Sequence, residues 1–308
     1  MTSPVTGLHH VTAIASDPQA NLDFYAKALG LRFVKKTVNF DAPEVYHLYY
    51  GDEAGAAGTV MTFFPFPRAA RGQAGAGQAV LTQFAVPPGA LPFWDARLPG
   101  MGAQRVAKET VFGAPRTVWQ DPDGLLFALV EGPDARAPWT GAGIEADVAI
   151  RGFLGVTLAV RDGTGISAIL EDIFGYLRGA EVPLGAGTLT RFVKDGPAGI
   201  VDLHVDPALP EGIEGAGSVH HVAFSVPDRA AQAEVQAALA ATGLRVTPQI
   251  DRDYFWAIYS RVPGDILFEV ATEEPGFTAD EPLAELGTAL RLPTQHEGKR
   301  ARLESLLP

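Results

Sequence analysis

Apolar and polar positions follow a pattern that recurs four times along the chain. The segments Leu8 to Ala15, Val80 to Val86, Leu154 to Val160 and Val219 to Val226 are nearly apolar and rich in strand-forming residues. Their starts lie 72, 74 and 65 positions apart (8→80, 80→154, 154→219), the mark of an internal repeat. A helical stretch follows each one. Asp17 to Leu29 places Leu22, Tyr25, Ala26 and Leu29 on one face, with Asp17 as N-cap, Pro18 in the first turn and Gly30 as the stop. Asp228 to Ala241 repeats this arrangement and ends before Gly243, while Gly165 to Phe174 and Ala90 to Leu98 are weaker copies. Two or three strand-like runs then follow. They are Leu31 to Asn39, Val45 to Tyr50 and Thr59 to Phe66 in the first unit, and Leu244 to Ile250, Phe255 to Val262 and Ile266 to Ala271 in the last. Turn signals such as Gly51-Asp52, Asp123-Gly124 and Gly264-Asp265 separate them. The unit is strand–helix–strand–strand–strand, four times over. Hairpins dominate it, so the expected class is α+β.

The expected division is an N-terminal domain of two units over residues 1–134 and a C-terminal domain of two units over 150–276. Between them Gly132 to Ile150, rich in Gly, Ala and Pro, reads as a linker. The remaining stretch, 277–308, reads as a helical tail. Two short helices, Glu281 to Leu290 and Glu297 to Leu307, are broken by Pro293. Such a tail can cover an edge, close a site or pack on a second copy, which leaves a homo-oligomer open.

Composition narrows the chemistry. The 308 residues are 47% hydrophobic and 19% charged, enough to bury a large core without disulfides. The formal charge of −12 argues against nucleic acid or an anionic membrane as the main partner. With no cysteine, a thiolate metal site, an iron–sulfur cluster and a cysteine nucleophile are excluded, so a metal must be held by His, Asp or Glu. Met1 to Gly7 lacks the features of a signal peptide. The longest uncharged run, Gly72 to Trp94, is broken by Pro87, Pro88 and Pro92. The expectation is a soluble cytoplasmic protein. Gly72 to Gly77 lacks the strand–helix context of a phosphate loop and reads as a mobile loop.

Four of the seven histidines fall in two matching places. His9-His10 and His220-His221 each open the first strand of a unit, whereas the second and third units carry Leu81 and Gly155 where His10 and His221 stand. In the last strand of the fourth unit Glu269 interrupts Ile266-Leu267-Phe268-Glu269-Val270, at the position of Ala128 in the second unit. A carboxylate there is costly if buried unpaired. His10, His221 and Glu269 form a two-histidine, one-carboxylate set that leaves open positions on a metal, as in non-haem Fe(II) oxygenases. Zinc accepts the same donors, and Mn or Ni also fits. Each residue also has a plainer reading: a half-exposed histidine pair, or Glu269 paired with Arg261 across a hairpin.

Because neighbours on a strand point to opposite faces, only one histidine of each pair should face the metal, and the alternation that follows selects His10 and His221. His9 and His220 are then supports for the ligands or surface residues. Arg252 and Tyr259, on the strands before Glu269, are candidates to hold an anionic oxygen and a substrate hydroxyl, unless Arg252 simply pairs with Asp251 or Asp253. Phe255, Trp256 and Phe268 beside them suit an aromatic substrate or a packed core. Asp202 and His204 share a face, but a second metal site would need partners where Leu81 and Ala128 stand. His47 and His296 have no visible partners.

The fourfold unit resembles the vicinal oxygen chelate superfamily, which includes glyoxalase I, type I extradiol dioxygenases and fosfomycin and bleomycin resistance proteins. Gly7-Leu8-His9-His10-Val11-Thr12, Leu31 to Tyr50, Val219 to Phe224 and Asp251 to Glu269 are similar to ring-cleaving dioxygenases of the hydroquinone 1,2-dioxygenase type. The resemblance implies four tandem βαβββ modules forming two domains with open, barrel-like sheets. It implies Fe(II) on His10, His221 and Glu269, O2 as co-substrate, and supporting or substrate-binding roles for His9, Thr12, His220, Arg252 and Tyr259. The expected activity is Fe(II)-dependent ring cleavage of a dihydroxybenzene, here a substituted para-hydroquinone, as part of aromatic-compound degradation. The small aromatic substrate is the one partner expected. His220 is the expected proton shuttle. A glyoxalase-like isomerase or lyase, or a ligand-sequestering resistance protein, is the alternative. Usual extradiol catechol enzymes take all three ligands from the second half, whereas here His10 comes from the first unit.

Overall fold

The computed structural model describes residues 3–307. The first module is β1 (Gly7–Ala15), α1 (Pro18–Leu22) continued by a π-helical turn (Asp23–Ala28), β2 (Arg32–Val38), β3 (Tyr46–Gly51) and β4 (Val60–Pro65). The second is β5 (Gln78–Val86), α2 (Leu91–Arg97), β6 (Gln104–Val111), β7 (Ala114–Gln120) and β8 (Leu126–Glu131). The third is β9 (Gly152–Val160), α3 (Thr164–Ala168) with a π-helical turn (Ile169–Ile173), β10 (Leu177–Leu184), β11 (Gly187–Val193) and β12 (Ile200–Val205). The fourth is β13 (Val219–Val226), α4 (Arg229–Ala241), β14 (Ile250–Asp251), β15 (Phe255–Arg261) and β16 (Leu267–Pro275). The expected caps are in place. Asp17 and Asp228 accept hydrogen bonds from Ala20 N and Ala231 N and satisfy amides that the first helical turn leaves free. Within each module the last strand lies parallel to the first and the three after the helix run antiparallel.

The sheets join modules that are not neighbours in sequence. One runs β14-β15-β16-β13-β1-β4-β3-β2, so it unites the fourth module with the first; the other runs β10-β11-β12-β9-β5-β8-β7-β6 and unites the third with the second. The sequence halves 1–134 and 150–276 therefore do not each close a sheet of their own. The reason is local. β1 pairs antiparallel with β13, and β5 with β9, so each half-barrel is sealed at its middle by two first strands.

Alternation along the strands sorts residues between two faces. Val11, Ala13 and Ala15 on β1, Val222, Phe224 and Val226 on β13, and Phe268 and Val270 on β16 enter the main core with the helices. The intervening positions face the hollow of the curled sheet. Phe84 and Phe153 join the two central strands of the second sheet, with ring centroids 5.3 Å apart.

Three expectations fail here. Gly72 to Gly77 is not a free loop but is bonded to 210–216, through Gln73 N to Ile213 O and Ala76 N to Pro210 O. The approach is so close that a Cβ on Gly75 would lie 2.6 Å from Gly212 N. Leu244 to Ile250 is not a full strand, since only Val246 bridges to Ser260 before the two-residue β14. The tail ends in a helix, as expected for Glu297 to Leu307, but Glu281 to Leu290 is not one. The tail consists of 3₁₀ turns at Phe277–Ala279, Leu283–Glu285 and Thr294–Lys299, then α5 (Arg300–Leu306). Its first half is fixed by tertiary partners instead. The fully buried Lys35 ammonium bonds Asp280 at 2.6 Å, Glu281 at 2.5 Å and Phe277 O at 3.1 Å. Leu290 bridges to Lys36. Such contacts outweigh a short segment's helix propensity. No helix among the described residues is long and apolar enough to cross a membrane.

Candidate metal centre

The site begins with a bulge. In the β1–β13 ladder the register slips between Leu8 and His10 and again between Thr12 and Ala13, leaving His9 and His220 as the extra residues. The β5–β9 ladder slips at the matching places, at Val80 and Leu154. The bulge therefore belongs to all four modules, and histidines occupy it in two. It explains a departure from simple alternation, because the extra residue turns toward the same side as its neighbour. His9 Nδ1 lies 2.9 Å from His10 Nδ1, and His220 Nδ1 lies 2.7 Å from His221 Nδ1. In each pair the first imidazole engages Nδ1 of the second and leaves its Nε2 free.

Those two free nitrogens and the carboxylate of Glu269 meet at one point. His10 Nε2 is 3.3 Å from His221 Nε2 and 3.4 Å from Glu269 Oε2, and His221 Nε2 is 2.9 Å from the same oxygen. Three donors at ~2.1 Å from a common centre, with bonds near 90°, stand ~3.0 Å apart, so the triangle has the dimensions of one face of a metal's coordination shell. The remaining donors also fit. Glu269 is fully buried with no lysine or arginine paired to it, only the imidazoles beside it, a state that a cation relieves. Among the described residues, this triad is the one group of three or more His, Asp or Glu that could hold a metal. Glu269 does not pair with Arg261, which instead approaches Asp265.

Burial lowers the His221 imidazole to about 4 and the His9 imidazole to about 3, so both are neutral at physiological pH. Burial alone would raise the Glu269 carboxyl, but the imidazoles of His10 and His221 outweigh it and hold the carboxyl well below the usual range. A neutral His221 imidazole beside an ionised Glu269 carboxylate matches what a divalent metal requires of such donors.

The triad forms the floor of a cavity of about 490 Å³, walled by Phe40, Phe64, Phe255, Tyr49 and Tyr259. Tyr259 faces Glu269 across the β15–β16 ladder, and Arg252 Nε donates to its hydroxyl at 3.3 Å. Arg252 does not pair with Asp251 or Asp253. Its nearest carboxylate is the exposed Asp41, at 3.5 Å, and its guanidinium lies over Phe40. Trp256 and Phe268 are not in the cavity, because alternation sends Trp256 outward beneath Arg229 and Phe268 into the core. Thr12 does not line the cavity either. Its hydroxyl is 2.8 Å from that of Thr62. His220 borders the cavity and also a second pocket of about 190 Å³, bounded by Glu211, Glu214, Arg261 and Asp265.

Sequence reasoning missed His47. It lies on β3, buried in the cavity wall, with Nε2 2.8 Å from Thr62 Oγ1 and Nδ1 2.8 Å from the Tyr49 hydroxyl. The signal was the spacing of His47 and Tyr49, which puts both on one face of a strand. His296 also has a partner, since its Nε2 is 2.9 Å from Phe40 O.

This combination of fold and site defines the Glyoxalase/Bleomycin resistance protein/Dioxygenase superfamily, whose model matches residues 7–129, and the chain belongs to it. Full-length relatives narrow the placement. The chain is 43% identical to "Putative ring-cleaving dioxygenase MhqO" of Bacillus subtilis (strain 168), over 100% of this chain and 98% of that one. It is 34% identical to "Chlorohydroquinone/hydroquinone 1,2-dioxygenase" of Sphingobium indicum, over 97% of this chain and 95% of that one. A crystal structure described as a "putative dioxygenase" from Bacillus subtilis superposes with a TM-score of 0.94 at 42% identity, covering 100% of this chain and 98% of that one. Glyoxalase I from Zea mays shares the fold, with a TM-score of 0.65 at 14% identity over 87% of this chain and 92% of that one.

Proposed function

We propose that the protein is an Fe(II)-dependent ring-cleaving dioxygenase acting on a dihydroxybenzene of the para-hydroquinone type, in the cytoplasm. The observation that carries this reading is the position of the triad. His10, His221 and Glu269 line an aromatic-walled cavity, so a metal held by these three residues would leave coordination open to a substrate there. A ferrous ion held there would supply acidity to a bound phenol and a redox partner for O2.

The chain's own groups would do the rest. Burial beside Glu269 raises the Tyr259 hydroxyl well above its ordinary range, so it stays protonated and donates a hydrogen bond to a substrate oxygen. The Arg252 guanidinium behind it favours negative charge on that oxygen. His220 offers a donor at Nε2, because Nδ1 is engaged by His221, and taking up a proton at Nδ1 requires that contact to open. His220 also borders the second pocket, whose acids Glu211, Glu214 and Asp265 lie outside the substrate cavity. His9 and Thr12 act indirectly, His9 by orienting the His10 ring and Thr12 by anchoring Thr62.

The test is oxygen consumption by protein loaded anaerobically with Fe(II), against hydroquinones and catechols, with Zn(II)-loaded protein as control. The expected result is uptake with Fe(II) only, matched to loss of the para-diol. Protein carrying one Fe(II) that consumes no oxygen with any diol would overturn the reading in favour of a glyoxalase-like isomerase or lyase, or of a ligand-sequestering protein.

A further inference from the structure

The half-barrel that holds the triad has two polar walls. β3 and β15 each lie two strands out from the central β1–β13 pair, and the sheet curls, so they face one another across the cavity. Their registers correspond. Tyr259 stands opposite Glu269, and Tyr49 stands opposite Thr62. Each tyrosine is held by its own partner, Tyr259 by Arg252 and Tyr49 by His47.

The second array is longer. It runs Tyr49–His47–Thr62–Thr12, with every link 2.8 Å. Both His47 nitrogens are used within it, which fixes the ring in place. The Tyr49 hydroxyl is bonded to one nitrogen and so keeps a donor or acceptor for the cavity. It lines the same cavity as His10, His221 and Glu269, together with Tyr259 and Arg252.

Resting on the ring-cleaving reading, we propose that Tyr49, positioned by His47 and Thr62, receives the ring hydroxyl that does not sit at the metal, and so selects 1,4-diols. A para-diol carries its hydroxyls at opposite ends of the ring. One can lie at the metal beside Tyr259 while the other reaches the Tyr49 wall. A 1,2-diol brings both hydroxyls to the metal end and so forgoes the hydrogen bond that the Tyr49 hydroxyl offers a para-diol. Tyr49 is the group in contact with substrate; His47 is a positioning residue.

Recognition is separable from turnover, so the test is anaerobic calorimetric binding of hydroquinone, catechol and phenol to the metal-loaded full chain. Wild type should bind hydroquinone about tenfold or more tightly than phenol, the effect of one hydrogen bond. Tyr49→Phe and His47→Gln should reduce that ratio to below about threefold by weakening hydroquinone alone. Equal losses on hydroquinone and phenol in the variants, or a wild-type ratio below threefold, would overturn the proposal. The wild-type ratio decides even where a variant fails to fold. Oxygen uptake by the Fe(II)-loaded wild type judges the ring-cleaving reading separately. Uptake with an unchanged ratio in the variants removes only the role of Tyr49, whereas absence of uptake on every diol removes the reading itself.

Discussion

Where β1 carries His10 and β13 carries His221, the other sheet carries Leu81 on β5 and Gly155 on β9. The third module nevertheless keeps a carboxylate. Asp202 pairs with Thr157 as Glu269 pairs with Ala223, so the two acids occupy equivalent places, and both are fully buried. Their solutions differ. Arg191, in register with Asp202 as Tyr259 is with Glu269, makes a two-pronged bond to it, Nε to Oδ1 and Nη2 to Oδ2, both 2.8 Å; Gln83 adds a third at 2.9 Å. Glu269 has no such donors and stands among imidazoles. A buried carboxylate at this position of the fold needs a positive partner. One sheet supplies it from its own chain, whereas the other leaves the place for a metal. The second sheet cannot revert by one substitution at Gly155, because even a Cβ there would lie 2.1 Å from Ile200 O.

The largest expected effect breaks the first sheet. Glu269→Gln or His221→Ala should abolish stoichiometric metal binding, read by elemental analysis, and lower oxygen uptake by roughly a thousandfold. Asp202→Asn is the matching change in the second sheet. It leaves the half-buried Arg191 charge without its partner and should cost about 2–3 kcal/mol in urea unfolding while metal content stays at the wild-type value. A drop in metal content there would end the contrast between the sheets.

Acid separates the sheets further. The buried rings of His9, His47 and His221 all have folded values lowered from 6.5, the first and last to about 3 and about 4. Stability from such groups is present above 6.5 and is lost as pH falls toward the folded values, because only the unfolded chain takes up the protons. Metal-free protein should lose roughly 1.4 kcal/mol per ring between pH 7.5 and 5.5. Asp121, raised by burial to about 6, and Asp253, also raised by burial, work the other way, their penalty easing as pH falls, but they are two groups against three. Thermal unfolding across this range should show the decline. The smallest effect is expected for Arg191→Met with Asp202→Leu together, within about 1 kcal/mol of wild type, since removing both charges leaves neither stranded.

Much of this was legible in the pattern of residues. The four modules, the matched histidine pairs and the lone glutamate in an apolar strand follow from periodicity and from the cost of burying charge. The pairing of the first unit with the fourth was legible only through the ligand set, since His10 must meet His221 and Glu269 in one cleft; hydropathy does not show it, because β1 and β5 are equally apolar. The bulge escaped for a related reason, as one extra residue in a ladder leaves no mark in hydropathy. Asp202 and His204 were visible on one face, but Arg191, opposite on the neighbouring strand, is what makes Asp202 a structural ion pair rather than a ligand. His47 was invisible because its partners, Thr62 and Thr12, are ordinary threonines brought to it by the sheet. The first half of the tail misled because its hold on the body is Lys35 meeting two acids, 245 and 246 positions away.

The union of the first module with the last has a temporal consequence during synthesis. Modules two and three are contiguous and can zip together as soon as β12 has left the ribosome, whereas β1, made before either, must wait for β13 and β16. Until then its histidines are a lone donor pair with no carboxylate to complete them. A chain interrupted anywhere before Glu269 thus lacks a finished ligand set. Translation must reach β16 before the molecule can complete a metal's ligand set, so shorter copies are kept from holding the ion by connectivity alone.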